Sequence, residues 1–374
     1  MTSRRALTQG ICSWLIAAIS VGACGSAPPT PSESAIAAAI ETPSAATPSP
    51  VPAPAATATA LPSPVPTLDP TIADLTGVTT DPSLAHRLPL AVLLDDNRIA
   101  RPQSGFNSAS IVYQAPADGG ETRYVLVFGE GDTAQIGPVR SARIYFIHWA
   151  SEVRAALAHY GGDLRSRRYL EAYDHLRLTD VDALAGAGKA FHRIKSRTAP
   201  HNAYTSTAAL RAMALKSGGQ ESMPADLYRR SFVAPGDVAS RPASQRIRIP
   251  YRTGLVEYRF DRAADLYRRV LDGKAQVDPA DGKAVMTRNV VVLFMSFRTD
   301  TKIEPGHSRP VVGSIGIGRA MIFREGRLLE GTWSKADEVS PTRLLDAAGT
   351  EIPLVTGRTF FQIVPDDTRV TSGS

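Results

Sequence analysis

The sequence predicts an α+β fold, with a mixed α/β first lobe and a second, mostly antiparallel β lobe. Up to about residue 235, short Val- and Tyr-rich runs alternate with segments of helical periodicity. From about residue 246, short β-branched runs alternate with glycine-containing turns, which is typical of antiparallel sheets. A Pro-, Gly- and Ser-rich stretch at 231–244 separates the two patterns. We therefore assign the first lobe to residues 87–240, the second to 241–366, and a flexible tail to 367–374.

The first lobe is predicted to contain three strands followed by three helices. The strands are expected at residues 89–94, 111–115 and 123–128, which are short apolar runs bounded by turn sequences. The first helix is expected to have Ser141 as its N-cap and to extend through Leu157, because apolar residues recur there at three- and four-residue steps. The other two helices are expected at 169–173 and 207–215, the latter capped by the Thr-Ser pair before it.

The second lobe is predicted to consist mainly of strands. These are expected at residues 256–260, 266–271, 290–297, 313–323 and 360–364. Gly313, Gly316 and Gly318 are expected to be strand glycines, since they lack the strand-to-helix context of a dinucleotide-binding loop. Tyr258 and Trp333 are expected in the core rather than on a sugar-binding surface.

The first 86 residues are expected to export and tether these lobes rather than to fold. Residues 1–23 are typical of a signal peptide, because Arg4 and Arg5 precede an apolar run too short to span a bilayer. The Val-Gly-Ala-Cys sequence that follows has the form of a bacterial lipobox, so we expect Cys24 to be acylated and to anchor the protein in the lipid bilayer. Residues 24–86 are rich in Pro, Ala, Ser and Thr and are expected to form a disordered tether. The predicted location is extracytoplasmic, on the cell membrane.

Charge and cysteine content exclude several functional classes. The formal net charge is +6 without the dense basic stripe of a nucleic-acid-binding protein, so no nucleic-acid partner is expected. A modest positive excess suits contact with anionic envelope polymers. The two cysteines are Cys12, within the signal segment, and Cys24. The mature fold therefore has no intramolecular disulfide and no thiol nucleophile. We expect no cofactor.

Four motifs stand out in the first lobe, and three more follow in the second. They lie at residues 100–105, 118–123, 137–143 and 199–205, and then at 288–291, 316–320 and 331–333. Together they resemble the YerB-like bacterial lipoproteins, a family built on a domain of unknown function. The resemblance implies a lipid-anchored, extracytoplasmic α+β protein and supplies no established reaction. The chain departs from the family pattern at Gln114 and Asp118, where the family typically has Glu.

Arginines in these motifs are the candidate ligand-binding residues. Arg140 and Arg143 are expected at the start of the first helix, three residues apart and hence on one face. Two guanidinium groups beside a helix N-terminus would form a receptor for phosphate or carboxylate. The alternative is that both arginines pair with acidic residues such as Asp95, Asp96, Asp118 or Glu121. The remaining ligand-binding candidates are Arg101, Glu121, Arg123 and Asn202.

Histidines supply the candidates for proton transfer. His201 could act as a general acid or base, with Asn202 orienting it, and His159 precedes a Gly-Gly pair where a ligand could approach closely. Asp96 could orient a histidine or bind a metal. The alternative is that each histidine only bridges the fold. No paired i, i+4 histidines occur, so we predict no metal site, and neither Ser104 nor Ser141 lies on a nucleophile elbow.

These residues favour a binding protein over an enzyme. The first hypothesis is that the first lobe captures an anionic envelope polymer or peptide through an Arg-rich pocket containing Arg123, Arg140 and Arg143. The second is a cell-envelope hydrolase or transferase that uses His201. The third is a structural adaptor whose β lobe docks another envelope protein. Convergence of the candidate side chains on one accessible cleft would favour the first two hypotheses together.

Overall fold

The computed structural model describes residues 68–172 and 178–373. The predicted signal peptide, Cys24 and the predicted tether up to residue 67 lie outside the described residues. The α+β prediction is confirmed, because helices and both parallel and antiparallel strands build the described part of the chain. No helix among the described residues is long and apolar enough to cross a membrane.

The secondary structure of the described residues comprises four α-helices and 24 strands. The helices are α1 (Pro82–Ala85), α2 (Ile144–Ser151), α3 (Leu164–Ala172) and α4 (Thr207–Lys216). The first twelve strands are β1 (Leu90–Asp95), β2 (Ile111–Pro116), β3 (Thr122–Phe128), β4 (Ala156–His159), β5 (Thr179–Asp182), β6 (His192–Arg193), β7 (Ala203–Tyr204), β8 (Phe232–Val233), β9 (Arg246–Tyr251), β10 (Gly254–Asp261), β11 (Leu266–Leu271) and β12 (Lys274–Ala275). The others are β13 (Val277–Asp278), β14 (Lys283–Ala284), β15 (Met286–Thr287), β16 (Asn289–Met295), β17 (Phe297–Glu304), β18 (His307–Val312), β19 (Gly316–Arg324), β20 (Arg327–Lys335), β21 (Arg343–Leu345), β22 (Leu354–Val355), β23 (Thr359–Pro365) and β24 (Thr371–Gly373).

The segment before β1 is folded, although the sequence analysis placed residues 68–86 in the disordered tether. Ala73 and Leu75 are buried, and Leu75 packs into one side of the core. The Asp74 carboxylate contacts Arg229, far along the chain. These long-range contacts order a segment whose composition alone predicts disorder, which corrects that part of the prediction.

One ten-stranded sheet dominates the structure. Its strand order is β21-β20-β19-β16-β23-β2-β3-β1-β4-β5. β23 runs parallel to both of its neighbours, β1 runs parallel to β4, and β4 runs parallel to β5. The other neighbouring pairs are antiparallel. Five strands come from each predicted lobe, so the two parts of the sequence share one sheet, and β23 lies at the junction between them.

The sheet is covered on both faces, because residues of β1 alternate between two apolar clusters. Leu90, Val92 and Leu94 pack with α4 and with the second sheet, whose order is β12-β11-β10-β9-β24 with β15 also paired to β11. Ala91 and Leu93 pack with α2 on the opposite face. Successive side chains of a strand point to opposite faces, so a strand buried on both sides is apolar throughout. The expected burial of Tyr258 and Trp333 is confirmed.

The first predicted helix is shorter in the structure than in the sequence analysis. α2 ends at Ser151, and Arg154 adopts a positive φ of 48°. Leu157, the predicted end of the helix, lies in β4 instead. An Ala-rich segment favours a helix locally, but pairing with β1 on one side and β5 on the other overrides that preference. The helix predicted at 207–215 is confirmed as α4, with Ser206 as its N-cap.

Candidate functional site

The carboxyl ends of three parallel strands meet at one edge of the large sheet. β1 ends at Asp95, β4 at His159 and β5 at Asp182. The extended segment before α2 crosses this edge, where the backbone N–H of Arg140 donates to Leu93 and the carbonyl of Arg140 accepts from Tyr160. The carboxyl ends of parallel strands are the usual place for ligand sites in α/β sheets. This edge is therefore the candidate functional site.

Asp95 joins two of the predicted site residues. Its Oδ2 lies 2.6 Å from Nδ1 of His201 and 3.1 Å from Nε of Arg140. The Asp95 carboxylate is buried, whereas a quarter of the Arg140 side chain and about an eighth of the His201 side chain are exposed, at 25% and 12%. Nε2 of His201 and both terminal nitrogens of Arg140 lack a hydrogen-bond partner within the described residues and are open to solvent. Asp95 thus contacts the imidazole of His201 and forms an ion pair with the guanidinium of Arg140, and the outer nitrogens of both side chains remain free.

Asp96 does not contact a histidine, which corrects its expected role as an orienting acid. Its Oδ1 accepts from Nε of Arg101 at 2.8 Å and from Nε2 of Gln103 at 2.9 Å. Its Oδ2 accepts from Nε2 of Gln114 at 3.1 Å and from the hydroxyl of Thr122. Because neighbouring residues at the end of a strand point to opposite faces, Asp95 reaches His201 and Asp96 does not.

Gln114, where the family typically has Glu, connects Asp96 to a buried arginine of the second sheet. Its Oε1 accepts from Arg269 at 2.6 Å while its Nε2 donates to Asp96. Arg269 is fully buried, and it also donates to the hydroxyls of Tyr124 and Tyr258. An amide can donate to one group and accept from another, which a carboxylate cannot. Gln114 therefore bridges a buried anion and a buried cation that do not touch.

Arg123 and Arg143 converge on a different carboxylate, that of Asp118. Arg123 lies 2.9 Å from Asp118 Oδ2, Arg143 contacts both carboxylate oxygens, and Arg309 from β18 lies 3.2 Å from Oδ1. Burial alone would raise the pKa of Asp118, but the hydrogen bond from Arg143 and the charges of the three arginines lower it to about 2. Burial, together with the neighbouring charge of Arg143, lowers the pKa of Arg123 to about 10.

Arg140 and Arg143 therefore do not form one receptor, which corrects the helix-face prediction. α2 begins at Ile144, so Arg143 is its N-cap and Arg140 precedes the helix in extended backbone. Arg140 pairs with Asp95 and Arg143 with Asp118, and Arg143 also contacts Asp163. Both arginines pair with acidic residues, which was the alternative interpretation of the sequence.

His159 is buried beside a cleft of about 470 Å³. Its Nδ1 lies 2.7 Å from the carbonyl of Gly161, and its Nε2 lies 2.7 Å from Oδ1 of Asp180. Burial would lower the pKa of His159, but the hydrogen bond and charge of Asp180, together with the charge of Asp182, raise it. Both ring nitrogens are thus occupied by acceptors, which stabilises the imidazolium and leaves no free nitrogen for a metal.

The remaining predicted residues hold loops at the same edge. Asn202 accepts from Arg193 at 2.6 Å, and the Arg193 guanidinium lies over the ring of Tyr160. Glu121 accepts from Nδ2 of Asn97 at 2.5 Å. These contacts position the loop that carries His201 and the loop after β1. Asn202 therefore does not orient the imidazole of His201, whose Nδ1 partner is Asp95.

The structure thus divides the predicted residues among separate clusters. Asp95, Arg140 and His201 form one, Asp96 and Arg101 a second, and Arg123 and Arg143 a third, while His159 stands apart with Asp180. Within residues 68–172 and 178–373, no three His, Cys, Asp or Glu side chains are grouped so that they could hold a metal ion. Arg193, Asp180 and Arg269 carried no motif signal and are recognised only from their contacts.

Comparison with known proteins places the chain in a family. Residues 75–220 match the family described as "Protein of unknown function (DUF3048) N-terminal domain", and residues 247–361 match its C-terminal domain. The chain is 31% identical over 311 residues to the putative lipoprotein YerB of Bacillus subtilis (strain 168), covering 79% of this chain and 86% of that protein. The crystal structure of the Bacillus subtilis YerB protein matches with a TM-score of 0.71 at 28% identity, over 81% of this chain and 99% of that one. The sequence, motifs and fold agree: this chain is a member of the YerB-like family, built from the N- and C-terminal domains of DUF3048.

Proposed function

We propose that this protein is a lipid-anchored envelope protein that binds an anionic ligand where β1, β4 and β5 end. The contacting groups are the imidazole of His201 and the guanidinium of Arg140. This narrows the Arg-rich pocket expected from the sequence to a pair of side chains, because Arg123 and Arg143 are occupied by Asp118.

One observation carries the proposal: an imidazole and a guanidinium share one buried carboxylate, and their outer nitrogens stay free. Oδ2 of Asp95 contacts both the His201 and the Arg140 side chain, and these contacts limit the rotamers of both before a ligand binds. Preorganised N–H donors on cations are good partners for carboxylate and phosphate oxygens.

Titration of the full-length protein in detergent with an anionic cell-wall polymer tests the proposal. We expect measurable binding heat, and we expect Arg140→Gln or His201→Gln to weaken binding at least tenfold. Arg248→Gln is the matched control, since Arg248 is exposed on β9 and makes no ion pair within the described residues. Unchanged affinity in both site variants, with the fold intact by circular dichroism, would refute the site.

A second candidate function rests on the same pair. A histidine whose Nδ1 contacts a buried carboxylate and whose Nε2 faces solvent has the arrangement of a general base. A hydrolase or transferase of envelope polymers would use Nε2 to accept a proton from water or a sugar hydroxyl. Turnover of wall fragments by the wild type, lost in His201→Gln and strongly reduced in Asp95→Asn, would support catalysis. Binding without turnover would favour the first proposal.

Anchoring by acylated Cys24 is part of the proposal. The Val-Gly-Ala-Cys sequence supports it, and so does the relative, which is named a putative lipoprotein. Cys24→Ser should release the protein from the membrane fraction, and labelling with a fatty-acid analogue should be lost at the same time. Retention of both label and membrane association in Cys24→Ser would contradict the anchor.

A further inference from the structure

A small cavity of about 100 Å³ lies between the start of α2, the start of α3 and β18, away from the Asp95 cluster. We propose that this cavity binds the phosphate group of a small ligand. Its polar lining includes Arg143, Asp163, Arg165, Ser166 and Arg309. Among these residues, only Arg143 is a site candidate from the sequence.

The first turn of α2 lines the cavity and leaves backbone donors without partners. Ile144 and Tyr145 line it, and their N–H groups make no hydrogen bond within the described residues. No side chain caps this helix, since its N-cap is Arg143. Free N–H groups and the positive end of the helix dipole favour an anion at this position.

An independent observation points to a missing ligand: the hydroxyl of Ser166 is buried without a partner. Ser166 is 1% exposed and lines the cavity, and its Oγ makes no hydrogen bond. A buried hydroxyl without a partner costs about 1–3 kcal/mol. A ligand oxygen in the cavity would provide the acceptor that the protein does not.

The surrounding charges leave a positive excess. Arg123, Arg143 and Arg309 share Asp118, while Asp163 and Glu304 provide the other nearby carboxylates. Arg165 is exposed and has no ion pair within residues 68–172 and 178–373, so four guanidinium groups face three carboxylates. His148 also lines the cavity, and burial lowers its pKa to about 3, so it stays neutral at pH 7. An anion would therefore meet a net positive environment.

Size restricts the ligand. The cavity, of about 100 Å³, has room for a tetrahedral phosphate group and is partly open to solvent. A larger ligand would therefore extend out of it. The ligand is thus inorganic phosphate or the terminal phosphate of a monoester, with the rest of a monoester outside the cavity.

Calorimetric titration of the full-length protein with inorganic phosphate and, separately, with glycerol 3-phosphate tests the site. We expect binding of at least one, with Arg165→Gln and Ser166→Ala each weakening it about fivefold or more. Tighter binding of glycerol 3-phosphate would identify a monoester, and equal or weaker binding would identify free phosphate.

Two controls make the result specific. Arg168→Gln, at another exposed arginine of α3 without an ion pair in the described part of the chain, should bind like the wild type. In His201→Gln any phosphate bound at the Asp95 cluster should be lost while the phosphate bound in this cavity remains, which separates the two sites. Absence of binding at millimolar phosphate, affinity unchanged in both Arg165→Gln and Ser166→Ala, or loss of all phosphate binding in His201→Gln would overturn the proposal.

Discussion

Asp95 and Asp96 are adjacent, both buried, and surrounded by entirely different partners. The Asp96 side chain lies on the face of the large sheet that packs against the second sheet. There it accepts hydrogen bonds from Arg101, Gln103, Gln114 and Thr122. Asp95 faces the other side, where it holds His201 and Arg140 with their outer nitrogens open to solvent. Two carboxylates separated by one peptide bond thus have different surroundings: Asp96 lies within a buried hydrogen-bond network, and Asp95 contacts the two side chains that we propose bind a ligand.

The number of ion pairs does not by itself locate a site. Arginines contact carboxylates in every cluster, including the one at Asp118. What distinguishes the Asp95 cluster is the set of donors left over after pairing. Removal of Asp96 should therefore affect stability, whereas changes around Asp95 should affect binding.

Asp96→Ala is expected to have the largest effect. It removes a buried acceptor shared by Gln103, Gln114 and Thr122 and leaves the Arg101 guanidinium without its closest carboxylate, so the free energy of unfolding should fall by about 3–5 kcal/mol. Asp95→Ala is the matched variant and should cost about 1–2 kcal/mol, because Arg140 and His201 can turn to water. Denaturant unfolding measures the free energy of unfolding of both variants. Equal losses would contradict the different roles assigned to Asp95 and Asp96.

Gln114→Leu should have the next largest effect. It removes the acceptor of the buried Arg269 guanidinium and a donor to Asp96, so we expect a loss of about 2–3 kcal/mol in the free energy of unfolding. Gln220→Leu is the control, since Gln220 is exposed and its side chain makes no hydrogen bond within the described residues, and it should change stability by less than about 0.5 kcal/mol. If chemical denaturation gave an equally small change in the free energy of unfolding for Gln114→Leu, the bridge from Asp96 to Arg269 would contribute little to stability.

Asp118 should make stability depend on pH in a window well below neutrality. Its pKa is lowered to about 2 in the folded protein from 3.8, so its contribution is complete above about pH 4 and is lost as pH falls to about 2. The contribution is about 2 kcal/mol at 1.36 kcal/mol per pKa unit. Asp118→Asn should therefore differ from the wild type at pH 6 and approach it near pH 2. A stability difference independent of pH across this range would contradict the assignment.

Arg140→Gln should have the smallest effect on stability, below about 1 kcal/mol, because its side chain is partly exposed and forms one ion pair. The same variant is expected to lose ligand affinity. A thermal melt and a binding titration on one preparation separate the two readouts. A large loss of stability would mean that Arg140 has a structural role, as Arg123 and Arg143 have at Asp118, and would contradict its assignment to binding.

Local patterns predicted much of the architecture. The strands at 89–94, 111–115 and 123–128 and the helix at 207–215 are present with shifts of one or two residues, since apolar runs and turn residues act over short distances. The prediction was wrong for residues 156–159, where an Ala-rich segment forms β4 because two strands flank it. Residues 69–86 are folded for a related reason, through contacts with distant parts of the chain.

The candidate site could be predicted only in part. Arg140 and His201 were predicted as site residues because they lie within long motifs, whereas the carboxylate predicted to orient a histidine was Asp96 rather than Asp95. The grouping of these side chains was not predicted, because the choice between Asp95 and Asp96 as the partner of His201 depends on which face of β1 each side chain occupies. The partners of His159 and Gln114 come from β5 and β11, which no local pattern connects to them.

The sequence by itself determined the α+β class, the strand order along the chain and the residue types available for binding an anion, since these follow from periodicity and composition. Only the tertiary structure decided which charges are neutralised and which donors stay free. The physical reason is that pairing of charges depends on distances of a few ångströms between segments more than a hundred residues apart, such as Asp95 and His201. Those distances are set by how the strands assemble into one sheet, and no single stretch of sequence contains them.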